Sequence, residues 1–195
     1  MRRFHTNRFL ARELSERDRK LYCDLFTDPV VMRHVGRPLT PLRAAISFGS
    51  SLRLTRRSGR LLYFAVVERK AAESVGIGSI QRIDRAARRA EVGLILRPCL
   101  RGRGFGREIL AGLVAHAFAA LPVDLIGARY SAAHPAVETM LDAIGFARRE
   151  AVAAALRMPD TAFRSVTRSQ WYENDQTCRG GVDVEYHRIS RAHGR

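Results

Sequence analysis

The sequence predicts an α+β domain with a mostly antiparallel central sheet flanked by helices. Three observations predict it. The apolar segments Leu61–Val67, Val75–Asp84 and Arg89–Leu96 follow one another across short polar turns, the pattern of a meander. Stretches on either side repeat apolar residues at helical spacing. A glycine-rich loop, Arg101–Gly106, joins the last of those strands to the longest helical stretch.

Taken in order, Arg8–Leu14 reads as a short strand. Ser15 followed by Asp18 has the form of a capping box, opening a helix through about Phe26 that Asp28-Pro29 ends. Thr40-Pro41 opens a second helix with an N-cap hydroxyl and a first-turn proline. Leu42, Ile46 and Gly49, with Leu52 beside them, mark its expected inner stripe, and Ser58-Gly59 stops it. Leu61–Val67 is continuously apolar, as a strand covered on both faces should be. Leu110, Leu113, Val114, Ala117 and Leu121 line one face of a helix over about 105–121, which Pro122 breaks, leaving His116 on its outer, solvated side. Val123–Ser131 is a further strand. Ala136–Ile144 is a helix with Val137, Met140, Leu141 and Ile144 inward, closed by Gly145 before a strand starts near Phe146. Val182–Ile189 reads as the last strand. Residues 157–181 read as an extended surface loop with a helical turn. There, Trp171 and Tyr172 either cap a pocket or anchor the loop by burying an aromatic.

The chain of 195 residues suits one domain, 1–195, carrying that loop. No apolar run reaches the ~20 residues that span a bilayer, and no apolar stretch follows the basic start, so neither a membrane nor a secretory signal is expected. Cys23, Cys99 and Cys178 are widely spaced and form no C-x-x-C pair, which argues against a disulfide framework or a zinc site. A reducing cytoplasm is the expected setting. The net charge of +15 is almost all arginine, Lys20 and Lys70 being the only lysines. It reads either as a composition bias or as a surface for polyanions.

The central signal is the run Arg97 to Glu108, which contains Arg101-Gly102-Arg103-Gly104-Phe105-Gly106. Glycines let the chain turn tightly and bring backbone amides to a ligand, and a helix N-terminus adds unpaired N–H groups. Together they make an anion cradle, strengthened by Arg101, Arg103 and Arg107. A Walker loop would end in Gly-Lys-Ser/Thr, which is absent. Both G-x-G-x-x-G frames fail, at Arg107 and at Ile109. The spacing that fits is R/Q-x-x-G-x-G, filled by Arg101, Gly104 and Gly106.

That spacing resembles the pyrophosphate loop of the GNAT superfamily of N-acetyltransferases. The likeness extends along about residues 6 to 150, through Thr6–Arg12, Leu25–Arg33, Val75–Ile80, Ala90–Pro98 and Ile144-Gly145-Phe146. Within the superfamily it is similar to the ribosomal-protein-alanine N-acetyltransferase branch. The resemblance implies a mixed sheet splayed between its fourth and fifth strands, here Arg89–Leu96 and Val123–Ser131. It implies acetyl-CoA as cosubstrate and no metal. Backbone of Leu94, Ile95 and Leu96 would line the pantetheine arm and polarise the acetyl carbonyl. Amides of Arg101, Gly102, Arg103, Gly104, Phe105 and Gly106 would hold the pyrophosphate. Glu91 stands where the family often has a glutamate and is the candidate base for the attacking amine; the competing role is an ion pair with Arg88 or Arg89. His134 and Val137 stand where the family commonly has asparagine and serine, and Leu141 where many members have a proton-donating tyrosine. His134 can still donate a hydrogen bond to cofactor, or simply be solvated. Cys99, near the loop but without an activating base, reads as structural.

The expected reaction is acetyl transfer to a primary amine, on a small molecule or a peptide N-terminus, by direct attack in a ternary complex. Two rivals stand beside it. One is acetylation of an aminoacyl-tRNA or another nucleic-acid-linked amine, with arginines holding RNA phosphate. The other is a non-catalytic acyl-CoA-binding module. A monomer or homodimer is expected. The transferase reading requires the glycine turn to be open and the sheet unpaired beside it.

Overall fold

The local rules above set most elements of the computed structural model, which describes residues 3–57, 59–100, 102–148 and 160–177. Its strands form one eight-stranded sheet. An N-terminal strand, β1 (Arg3–His5), pairs with β2 (Phe9–Glu13), and β3 (Leu62–Glu68), β4 (Glu73–Asp84) and β5 (Arg89–Leu96) follow antiparallel in chain order. β6 (Leu125–Ser131) joins β5 in parallel. A two-residue β7 (Ala147–Arg148) forms the far edge, and β8 (Thr161–Thr167) lies between it and β6. The order is β1-β2-β3-β4-β5-β6-β8-β7. β1 moves the sequence-based count by one, so the fourth and fifth expected strands are β5 and β6.

Helices cover both faces. On one lie α1 (Arg19–Thr27), α2 (Pro29–Met32) and α3 (Pro41–Arg57). On the other lie α4 (Phe105–Ala120) and α5 (Pro135–Asp142), and α6 (Arg168–Thr177) follows β8. The alternation of a strand explains the unbroken apolar run of β3. Leu62, Phe64 and Val66 enter the α4 core, while Tyr63 and Ala65 meet the α1–α3 core. The Ser15/Asp18 box forms as expected, with Ser15 N–H donating to Asp18 at 2.9 Å. Asp18 also takes both Arg12 guanidinium nitrogens at 2.7 Å. The chain does not simply end its helix at Asp28. That carboxylate accepts from Val30 and Val31 N–H and starts α2. Gly145 (φ +87°) closes α5, and Phe146 N–H donates back to Leu141 O at 3.0 Å.

Three sequence expectations are corrected. The inner stripe of α3 is Ala44, Phe48, Ser51, Leu52 and Thr55, whereas Leu42 and Ile46 are 71% and 61% exposed. Both stripes have helical spacing, and the aromatic Phe48, stacked edge-on to Tyr22, decides which face is buried. His116 is not solvated: at 7% exposure it stacks on Phe4, centroids 5.0 Å apart, beneath β1. The unexpected β1 covers the outer face of α4, where a Cβ on Gly112 would lie 2.7 Å from Thr6 and 2.8 Å from Phe4. Finally, the expected loop across 157–181 contains β8 and α6. Arg164 made that stretch look like surface, but it is buried against Tyr130, Glu138 and Asp142. Phe163 packs where Gly127 leaves room: a Cβ there would meet its ring at 2.3 Å. The expected strand Val182–Ile189 and Cys178 lie outside the described residues.

Candidate active site

Pairing between β5 and β6 runs from Arg89/Leu125 to Val92/Ala128 and then stops. Beyond it, Gly93–Leu96 pair only with β4, and Arg129–Ser131 only with β8. Two parallel strands therefore part at their C-terminal ends. Arg97 N–H donates to Val75 O at 3.0 Å. Antiparallel alternation then commits the backbone of Ile95 and Gly93 to β4 and leaves N–H and C=O of Leu94 and Leu96 facing the gap. The expected backbone role of Ile95 is corrected on this ground. Its side chain instead packs on the α1–α3 core, while Leu94 and Leu96 pack on the α4 core.

The glycine turn begins just past that gap. A 3-10 turn over Pro98–Leu100 buries Leu100 and exposes Cys99. Gly102 (φ +75°) and Gly104 (φ +72°) take left-handed conformations that L side chains rarely adopt, and Gly104 is the N-cap of α4. Gly106 serves differently. A Cβ there would sit 3.3 Å from Met140 Sδ and 3.8 Å from Leu96, so the bare backbone lets α4, α5 and β5 converge. Gly102, Arg103 and Gly104 are exposed, so the turn is open. Among the described residues no acceptor takes the backbone N–H of Gly102, Arg103, Gly104, Phe105 or Gly106. With the dipole of a 16-residue helix behind them, these amides suit an anion such as a diphosphate. Arg101 lies outside the described residues.

The turn has a brace that sequence reasoning missed. Glu108, buried in the first turn of α4, accepts from Thr6 Oγ1 at 2.6 Å, Arg8 N–H at 2.7 Å and Arg8 Nε at 2.5 Å. The Arg8 guanidinium lies 4.3 Å from the centre of the Phe105 ring, that of Arg103 lies 4.5 Å from it, and Arg8 also donates to Arg103 O at 3.3 Å. The Phe105 side chain is thus enclosed, and only its amide can serve a ligand. The pairing also neutralises Glu108, which would otherwise repel an anion at the cradle. No local signal announces a contact across 100 residues.

Glu91 lies one residue before the strands part, with its side chain 13% exposed. Its partners are neither Arg88 nor Arg89. Arg88 pairs with Asp124 and Arg89 with Asp84, and Glu91 Oε1 accepts from Arg129 at 2.7 Å while Arg82 stands 3.4 Å from Oε2. Oε2 takes no hydrogen bond among the described residues. His134 is the N-cap residue of α5, and its ring lies 4.3 Å from that of His34, centroid to centroid. The segment after α2 thereby reaches the turn that follows β6. Leu141 is fully buried and offers no proton donor. Trp171 packs against the core near Phe118, at the opposite end of α4 from the glycine turn, while Tyr172 beside it is exposed. A shallow concavity lined by Asp124, Thr167, Arg168, Ser169 and Tyr172 lies at that same far end. Arg168 is occupied there in capping α4, donating to the carbonyls of Phe118, Leu121 and Val123.

A parallel strand pair opening beside a glycine turn at a helix N-terminus is the arrangement that the resemblance to the GNAT superfamily led one to expect. Residues 8–147 match the family model described as "Acetyltransferase (GNAT) domain", and the chain belongs to that family as an N-acetyltransferase. It is 25% identical over 142 residues to a Bacillus subtilis (strain 168) protein named uncharacterized N-acetyltransferase YoaA, covering 72% of this chain and 80% of that one. A Vibrio cholerae spermidine N-acetyltransferase, solved with CoA and spermine, superposes with TM-score 0.72 at 15% identity over 85% of this chain and 98% of its own. FdhC, described as a nucleotide-linked sugar GNAT, superposes with TM-score 0.75 at 13% identity over 93% and 99%. These likenesses agree on the mixed, mostly antiparallel fold. Among the described residues no helix is long and apolar enough to cross a membrane.

Proposed function

We propose that this chain moves an acetyl group from acetyl-CoA to a primary amine, on a small molecule or a peptide N-terminus, by direct attack while both are bound. The observation that carries the reading is the end of β5–β6 pairing at Val92/Ala128, beside the amides of Gly102–Gly106, which have no acceptor among the described residues. Bound there, acetyl-CoA supplies an activated acetyl thioester. The amides of residues 101–106, with Arg101 assigned on the motif alone, hold the diphosphate. Backbone groups of Leu94 and Leu96 take the pantetheine arm as an added strand would. Holding donor and amine together supplies much of the rate.

Glu91 is the proposed proton acceptor for the attacking amine, through Oε2, which takes no hydrogen bond among the described residues and has Arg82 at 3.4 Å, with Arg129 fixing the other oxygen. His134 is the proposed polar neighbour of the arm. The CoA and spermine bound to the Vibrio cholerae spermidine enzyme support a small amine acceptor, and the resemblance to the ribosomal-protein-alanine branch supports a peptide N-terminus. Mass spectrometry of purified protein for retained CoA species, followed by turnover of acetyl-CoA over an amine panel, tests the reading. Arg101→Glu with Arg103→Glu should weaken CoA binding at least about tenfold, as expected for lost charge-assisted contacts to phosphate. Glu91→Gln should lower kcat by about a hundredfold with CoA affinity intact. Unchanged CoA affinity in the first variant removes the turn from the site, and unchanged kcat in the second removes Glu91 from the chemistry.

A further inference from the structure

The segment that reaches across to α5 has an unusual charge pattern. Residues 29–67 contain seven arginines, from Arg33 to Arg60, and no aspartate or glutamate. The part nearest the gap is Arg33-His34-Val35-Gly36-Arg37, in which Arg33, Val35 and Arg37 are all exposed. Its location is fixed at two points. The His34 ring meets His134 at the start of α5, and Leu39 N–H donates to Phe26 O at 2.8 Å at the end of α1. The segment therefore borders the open end of the β5–β6 gap on the face opposite α4, where Ile95 joins the α1–α3 core.

The neighbouring carboxylates are already engaged. Asp24 pairs with Lys20 at 2.8 Å and Arg97 at 3.9 Å. Asp28 caps α2. Glu91 is held by Arg129 and Arg82. Among the described residues, a polycationic acceptor entering from this side would meet repulsion offset only by carboxylates that already have cationic partners or cap a helix. An anionic acceptor would meet attraction to the exposed positive charges of Arg33 and Arg37 instead.

We propose that Arg33 and Arg37 select an acceptor whose amine is carried on an anionic molecule, one bearing carboxylate or phosphate close to the amine. This rests on the transferase reading above and names the substrate class of that site. The preference is electrostatic, so it weakens as salt rises. The amine itself must be neutral to attack, so the recognised charge belongs to the carrier and not to the reacting nitrogen.

The test uses the full chain with acetyl-CoA and acceptors matched at the amine. The tripeptides Ala-Asp-Asp, Ala-Ser-Ser and Ala-Lys-Lys vary carboxylate charge, glucosamine and glucosamine 6-phosphate vary phosphate, and spermine is the polycation. The anionic member of at least one series should exceed its neutral counterpart in kcat/KM by about tenfold, the size expected of two exposed charge contacts acting together. The series that responds identifies the carrier anion. Arg33→Ala with Arg37→Ala should remove that ratio by raising KM for the anionic acceptor. Arg33→Lys with Arg37→Lys should keep most of it, and CoA affinity should stay within about twofold in both variants because neither residue belongs to the cradle. Equal kcat/KM across charges, or a preference for spermine or Ala-Lys-Lys, overturns the proposal and leaves the transferase reading standing. CoA binding without acetylation of any acceptor overturns the transferase reading and this inference with it.

Discussion

Glu108→Gln should loosen the cofactor turn from a distance, and the structure sets the scale. The carboxylate is 7% exposed and accepts three hydrogen bonds, two from Arg8 and one from Thr6. Glutamine keeps the shape and one oxygen, so the Thr6 hydroxyl and the Arg8 backbone N–H can still be satisfied. Its amide NH2 must then face Arg8 Nε, donor against donor. A hydrogen bond to a charged group contributes about 1.5–3 kcal/mol, and a buried donor left unpaired costs a similar amount. Arg8 is 42% exposed and can rehydrate, which puts its share at the low end. The sum is about 3 kcal/mol, and at about 2–4 °C per kcal/mol for a chain of this size Tm should fall by about 6–12 °C. Arg8 also covers Phe105 and bonds to Arg103 O, so its release should raise the Kd for CoA by about five- to tenfold through loss of preorganisation. Scanning calorimetry and isothermal titration with CoA read the two effects. Thr6→Val, which removes one neutral donor, should cost only about 1 kcal/mol. If Glu108→Gln melts with the parent protein and binds CoA equally well, the brace carries no load and the reasoning fails.

Gly104→Ala should weaken CoA binding through the backbone alone. Its φ of +72° costs an L residue about 1–2 kcal/mol, and the nearest atom to an added Cβ is Arg8 Nη2 at 3.9 Å. Gly104→Asn, better tolerated in that conformation, should recover part of the loss; equal defects in the two would point to a steric cause instead. The Asp18 carboxyl gives an acid-dependent signature. Burial alone would raise it, but hydrogen bonds from Arg12 and Ser15 outweigh burial and hold it below the ordinary carboxylate value. A group whose folded pKa is depressed stabilises the fold above its unfolded value of about 3.9, and that stability is lost as pH falls through the folded pKa. Asp18→Asn should therefore lower Tm at neutral pH and flatten its decline below about pH 4. An unchanged acid limb in that variant would show that other carboxylates set it.

What the sequence made legible was local. The meander, the capping box at Ser15, the glycine turn and the Gly145 stop each follow from residues within a few positions of one another, and the structure has all of them. The inner face of α3 and the strand β8 were misread because the deciding partner lies far along the chain. Phe48 outranks Leu42 and Ile46 only once Tyr22 is beside it, and Arg164 belongs inside only once Glu138 and Asp142 meet it. The same distance hides the groups that tune the candidate site. Arg8 finds Glu108, Glu91 finds Arg129, and His34 finds His134, each across at least 38 residues. In a chain with 34 lysines and arginines, no single arginine stands out by type, so composition could suggest a taste for anions without saying where. Position supplies the distinction. Arg8 and Arg129 are occupied in neutralising carboxylates at the donor side, whereas Arg33 and Arg37, in the acid-free stretch beginning at Pro29, are exposed beside the gap where an acceptor would approach.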